Sequence, residues 1–334
     1  MLSRIPLCLF LCLALGPILL NAQSGARMPV LIDTDANNEL DDQHALAYLL
    51  LNQGIFDIRG ITVNATSGGG PVAEHAKEAQ RIVDLCGFHG TIRVTPGADG
   101  GFAEIVPHLG DPACDGREAV DLILKESRVE RDQPLILLPV GKLTHIALAL
   151  KQDPDLARRV RVVWLGSNYP EPGEYNQDND TAALNFILQS DLPFEIVTVR
   201  YGKESGTGAV KVARRIIYTR MPGQGPLQGT PVTGRHGGEF TCFGDYSVDL
   251  FKNIENLEEG CYRSLFDLAA VAIVKDPSWA EKTEIPAPIL RENQWIDRPA
   301  NPRTVVLWEN FNREEILEDL FTSLEKATGT SQTP

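Results

Sequence analysis

The chain has 334 residues, 43% of them hydrophobic, enough to bury the core of one large α/β domain or two smaller ones, and this excludes a disordered polymer. Lysine and arginine total 31 against 45 aspartate and glutamate residues, a formal charge of -14. That balance argues against a phosphate backbone or an anionic membrane as the main partner, so nucleic-acid polymers are set aside.

Residues 1–22 have the anatomy of a secretory signal peptide, with Arg4 in a short positive segment, an apolar run from Ile5 to Leu20, and small Ala22 before Gln23. The run is short for a membrane span, so the mature chain is expected to be exported to the periplasm or the extracellular space, with no later span. Cys8 and Cys12 belong to this leader; Cys86, Cys114, Cys242 and Cys261 remain, without zinc spacing, as up to two disulfides or as buried thiols.

A single domain is expected over residues 28–328, in which apolar β-rich runs alternate with helix-like stretches. PVLIDTD precedes DDQHALAYLLLNQ, and FDIRGITVNA precedes PVAEHAKEAQRIVDLCG. TIRVTPG and REAVDLILKESR follow, then PLILLPVG, LTHIALALKQ, RVVWLGS, DTAALNFILQS and FEIVTVR. Uninterrupted apolar runs such as Leu135 to Val140 suit strands buried on both faces, and strands separated by helices imply parallel βαβ units. The predicted fold class is α/β, an open, mostly parallel sheet flanked by helices. Residues 201–260 break the rhythm with a Gly-rich segment and are expected to form an irregular lid or rim. RTVVLWENFNREEILEDLFTSLEKA then returns to strand and amphipathic helix.

Four aspartates, Asp33, Asp35, Asp41 and Asp42, fall within ten residues where the first strand hands over to helix, and no lysine or arginine lies between Arg27 and Arg59. Carboxylates packed this densely need a positive partner, and helix capping needs only one of them. Oxygen ligands without a His or Cys cluster favour calcium or magnesium. In an open parallel sheet ligands sit at the carboxyl ends of the strands. That rule gathers the four aspartates, Asn64, residues 141–144 and residues 168–176 on one face. Asp267 sits in the apolar stretch SLFDLAAVAIV, where a buried carboxylate also needs a partner. His44, His75, His89, His108 and His145 show no ligand spacing and are expected to be surface or satisfied helix residues. SGGG at Ser67–Gly70 lacks the ending of a phosphate loop and reads as a tight turn.

DTDANNELDD resembles the N-terminal aspartate signature of the inosine-uridine nucleoside hydrolase family. PVGKLTHIALAL is similar to its metal-loop segment, SNYPEPGEYNQDNDTAALNFIL to its ribose-binding segment, LFDLAAVAIV to its late aspartate helix, and VVLWENFNREEILEDLF to its closing strand and helix. The segments stand in family order across nearly the whole mature chain. The resemblance implies a calcium ion bound by Asp35, Asp42, the carbonyl of Thr144 and Asp267, with Asp35 also taking the proton of the attacking water. It implies that Asp41 and Asn176 hold ribose hydroxyls, that Asn168 and Glu174 hold the 5-hydroxyl end, and that Asp33 supports the metal shell. The implied reaction is hydrolysis of the N-glycosidic bond of a small nucleoside or related riboside by a homo-oligomer.

Three departures stand out. Five residues, ANNEL, separate Asp35 from the Asp41-Asp42 pair where the commoner pattern has three. The asparagine expected after the second strand is matched only loosely, by Asn64. Phe266 stands where many family members carry a histidine beside the late aspartate, which leaves His236, Asp245 and Trp295 as candidates to assist the leaving group. Two competing readings follow. VLIDTDANN also fits the signature of haloacid-dehalogenase-like phosphatases, with Asp33 as nucleophile and Asp35 as acid, although this leaves Asp41 and Asp42 unexplained. Phe266 alternatively marks a non-catalytic nucleoside- or sugar-binding protein of the same fold.

Overall fold

The computed structural model describes residues 26–255 and 257–329, so the predicted leader lies outside the described residues. The central sheet is built from β1 (Met28–Thr34), β2 (Phe56–Val63), β3 (Val94–Pro96), β4 (Leu135–Pro139), β5 (Val160–Leu165), β6 (Phe194–Val197), β7 (Glu281–Pro286) and β8 (Thr304–Glu309). Its order is β7-β8-β6-β5-β4-β1-β2-β3. Every neighbouring pair is parallel except β7 with β8 at one edge. The expected α/β class is the observed one.

The helices that matter for the site are α1 (Asp41–Leu51), α2 (Val72–Leu85), α3 (Arg117–Ser127), α4 (Thr144–Gln152), α5 (Tyr175–Asn179), α6 (Thr181–Leu188), α7 (Phe243–Asn253), α8 (Phe266–Lys275) and α9 (Arg313–Ala327). Successive strand side chains point to opposite faces. Val30, Ile32, Ile136 and Leu138 therefore join the core made with α1, α2, α8 and α9. Leu31, Leu135 and Leu137 join the one made with α3, α4 and α6. Both faces are covered, which is why the strands read as unbroken apolar runs.

Two expectations need adjustment. TIRVTPG contributes only the short strand β3. Residues 201–260 are more ordered than their glycines suggest, with a helix over Arg214–Arg220, a short hairpin of Val232–Thr233 with Glu239–Phe240, and α7. Phe243, Tyr246, Leu250 and Phe251 of α7 are core residues, so apolar spacing within the segment overrides its glycine-rich composition. Cys86, Cys114 and Cys242 are buried and Cys261 is exposed, all as free thiols.

Strand order reverses between β1 and β4, because β1 leads outward to β2 and β3 on one side and β4 to β5 and β6 on the other. Diverging connections leave a crevice at the carboxyl ends of those two strands. Asp33 and Thr34 close β1 there, and Val140 and Gly141 follow β4.

Candidate active site

A cavity of about 510 Å³ opens over this crevice, lined among others by Asp35, Asp41, Asp42, Glu174, Asn176 and Asp267. The ANNEL loop reaches it through a turn, in which the backbone N–H of Asn38 bonds the carbonyl of Asp35 at 2.9 Å. The side chain of Asn37 donates to the Gly69 carbonyl at 2.7 Å, and its backbone N–H donates to His75 Nδ1 at 3.2 Å. Leu40 is buried in the core. The longer loop is thus held against Gly69 and His75, with Asn38 and Glu39 lining the cavity, and still delivers Asp41 and Asp42 to the first turn of α1. The glycine run serves this packing, since a Cβ on Gly69 would lie 2.8 Å from the carbonyl of Asn37 and one on Gly68 2.4 Å from Asn38 Oδ1.

Carboxylate oxygens of Asp41, Asp42 and Asp267 lie within 4.8 Å of one another, all three residues buried. Asp35 shares the cavity, one oxygen accepting from the Thr66 hydroxyl at 2.5 Å. Burial, opposed by that bond, pushes Asp35 up to about 6. Burial also lifts Asp41 to about 7, although the backbone N–H groups of Asp267 and Phe266 steady its charge. Asp42 is held well above the usual carboxylate range by burial and by Asp35 and Asp41, even with the Thr34 hydroxyl donating to it. Asp267 is raised likewise, by burial and then by Asp41, Asp42 and Asp35. Asp42 and Asp267 are close enough to hydrogen-bond, an arrangement that needs a proton or a cation between them. A hard divalent cation fits this all-oxygen donor set.

Behind the cluster, Asp33 is fully buried and accepts from the Thr62 hydroxyl at 2.9 Å, from Asn64 at 3.2 Å and from His145 Nδ1 at 2.9 Å. His145 Nε2 accepts the backbone N–H of Ala98, so its proton sits on Nδ1, toward Asp33. Asn64 Oδ1 is buried without a hydrogen-bond partner. Glu174 caps α5 by accepting from the backbone N–H groups of Ser167, Asn176 and Gln177. Burial, against these bonds, raises it to about 7. Asn176 donates to the carbonyls of Val140 at 2.8 Å and Leu165 at 3.2 Å, which leaves its own amide carbonyl to offer the cavity.

Other predicted residues are placed differently. Thr144 begins α4, and its hydroxyl donates to Asp180 at 2.5 Å; Val140, four residues earlier, is the residue of this segment that lines the cavity. Asn168 braces two loops, donating to the Gly173 carbonyl and accepting from the Tyr201 backbone at 3.0 Å, and lines a smaller neighbouring cavity. His236 lies 3.6 Å from Asp249, Asp245 accepts the backbone N–H of Gly223, and Trp295 packs edge-on to Tyr169; none of the three lines the main cavity. Sequence reasoning did not single out Thr66, Tyr175, Tyr201 or Arg263. Tyr201 meets Phe266 edge-to-face with ring centroids 5.8 Å apart, forming an apolar wall.

A doubly covered, mostly parallel sheet with a buried oxygen-donor site at its switch point is an open α/β fold of the Rossmann-like kind. Residues 30–321 match the model of the inosine-uridine preferring nucleoside hydrolase family, and the chain belongs to that family. It is 28% identical over 182 residues, covering 49% of this chain and 55% of the relative, to a protein named inosine-uridine preferring nucleoside hydrolase from Crithidia fasciculata. A protein of the same name from Leishmania major is 23% identical over 78% of this chain and 84% of its own. The matched stretch spans 66% of an uncharacterised Schizosaccharomyces pombe relative. The fold is shared with a solved inosine-guanosine nucleoside hydrolase, at TM-score 0.67 and 18% identity over 90% of this chain and 99% of that one. A purine-preferring ribonucleoside hydrolase from Gardnerella vaginalis gives TM-score 0.66 at 18% identity over the same shares.

Proposed function

We propose that this protein hydrolyses the N-glycosidic bond of ribonucleosides or related N-ribosides, releasing base and ribose, and that it does so with calcium outside the cytoplasm. The observation that carries the reading is the buried group of Asp35, Asp41, Asp42 and Asp267 at the switch point, in the fold of this family. The donors we assign to the cation are Asp35, Asp42, Asp267 and the carbonyl of Val140, which replaces Thr144. When bound, the ion would neutralise the cluster, acidify a water and engage sugar hydroxyls.

The chain's own groups supply the rest. Cleavage passes through an oxocarbenium-like state, so the site must place a water, fix the ring and help the base depart. Asp35, oriented by the Thr66 hydroxyl and facing the cavity, takes the proton of the attacking water. Asp41 and the amide carbonyl of Asn176 accept from sugar hydroxyls, and Glu174 caps the helix that carries Asn176. Tyr201 and Phe266 flank the base and shield the bond from bulk water. Asp33, with Thr62, Asn64 and His145, anchors the end of β1 from behind.

The test is product analysis with purine, pyrimidine and nicotinamide ribosides and their nucleotides. Free base with reducing sugar supports the proposal. Phosphate released from nucleotides would favour the phosphatase reading, and a raised melting temperature without turnover would favour a binder.

Two further expectations follow here. Without a cation, Asp35, Asp41 and Glu174 hold protons at higher pH folded than unfolded, so the native state binds more protons between about pH 4 and 7. Stability of the chelated protein therefore rises as pH falls through that window, and calcium flattens the slope; melting curves at several pH values check it, and a slope of opposite sign would refute it. Gly141 packs so tightly that a Cβ there would lie 2.9 Å from Asp35 Oδ1 and 3.1 Å from Asn64. Gly141→Ala is expected to cost about 1–3 kcal/mol in stability and to slow turnover by displacing Asp35, measurable by denaturant titration and steady-state kinetics.

A further inference from the structure

Breaking an N-glycosidic bond leaves an electron pair on the departing nitrogen, so on the proposed reading a donor must face the base. Phe266 has no proton to give, and His236, Asp245 and Trp295 lie elsewhere. Among the described residues lining the cavity, the cations are Lys203, Lys211 and Arg263. Lys203 is exposed, and Lys211 sits 3.6 Å from Glu258. Arg263 is only 7% exposed.

Arg263 stands on the short strand Tyr262–Ser264, opposite Val212 of Lys211–Ala213, four positions before Asp267. Its guanidinium carbon lies 5.9 Å from the centre of the Phe266 ring, and its Nη2 is ion-paired with Glu39 of the ANNEL loop. The group is thus held from two sides, at the junction of the aromatic wall and the carboxylate cluster. A guanidinium offers several N–H donors in a fixed plane and keeps its proton.

We propose that Arg263 is the catalytic residue that meets the leaving group, donating N–H hydrogen bonds to an acceptor atom of the departing base. The C1′–N bond breaks with its electron pair going to the base nitrogen, and the water oxygen bonds C1′. Asp35 receives the water's proton, which passes through solvent to the released base anion, so charge and protons balance while Arg263 remains protonated. The inference rests on the hydrolase reading and adds the group that stabilises the leaving base.

The test compares wild type, Arg263→Gln and Arg263→Lys on a purine riboside and on 4-nitrophenyl riboside, whose leaving group is stable as an anion. Arg263→Gln is expected to lower kcat on the purine riboside by on the order of 10²–10³-fold. The loss on the nitrophenyl riboside should be below about tenfold, with Arg263→Lys intermediate on the purine riboside. The wild-type kcat should show no fall toward alkaline pH up to about pH 9, because the guanidinium keeps its proton. Equal losses on both substrates, no loss on either, or a bell-shaped profile would overturn the assignment. If Arg263→Gln does not fold, Arg263→Lys and the wild-type profile decide. A wild type that cuts neither substrate overturns the hydrolase reading itself.

Discussion

Asp35→Asn lowers kcat for ribonucleoside hydrolysis by at least about 10²–10⁴-fold while the protein stays folded. Asparagine keeps the shape of the side chain and an oxygen to accept from Thr66, but it cannot take a proton from water. The change also removes one negative charge from a cluster in which Asp42 and Asp267 feel Asp35 directly, so the melting temperature without cation should hold or rise. Steady-state kinetics and a melting curve on the same preparation separate the two effects. A rate within tenfold of wild type would remove Asp35 from the role of base.

Asp267→Asn should split stability from cation binding. Asp267 is buried at the start of α8 and is pushed toward its protonated form by burial and by Asp41, Asp42 and Asp35. Neutralising it relieves repulsion, so the chelated variant is expected to melt several degrees above the chelated wild type. Calcium should no longer raise that temperature, its affinity falling on the order of 10²-fold or more, since even residues that only support a ligand cost 10–100-fold when replaced. Turnover should fall with it. A variant that loses stability in chelator and keeps its calcium response would show that Asp267 serves packing alone.

The layout of the sheet was legible because burial on both faces leaves an uninterrupted mark, as in Leu135 to Val140. Asp267 was legible for the opposite reason, a charge where the helix is otherwise apolar. The segment containing Thr144 runs beside the cavity, and which of its residues faces it depends on where β4 ends. The chain turns after Val140, and Thr144 has already entered α4 with its hydroxyl on Asp180. His145 gave no periodic or spacing signal, because its partner Asp33 lies 112 positions away. Tyr201, Glu39 and the stretch carrying Arg263 and Phe266 likewise come from distant parts of the chain that only tertiary packing joins. His236, Asp245 and Trp295 were named by sequence proximity, and proximity along the chain does not put them in the cavity. ANNEL carries two residues more than the commoner pattern. Their turn, pinned by Asn37 and buried Leu40, accommodates them while Asp41 and Asp42 still begin α1.

One measurement bears on the cation site and the reaction together: release of reducing sugar from a panel of ribonucleosides by the purified protein, before chelation, after chelation, and after calcium is restored. The carboxylate site as described here predicts turnover that disappears with chelation and returns with calcium, accompanied by a rise in melting temperature. Turnover indifferent to chelation, or a melting temperature that calcium leaves unchanged, would contradict it.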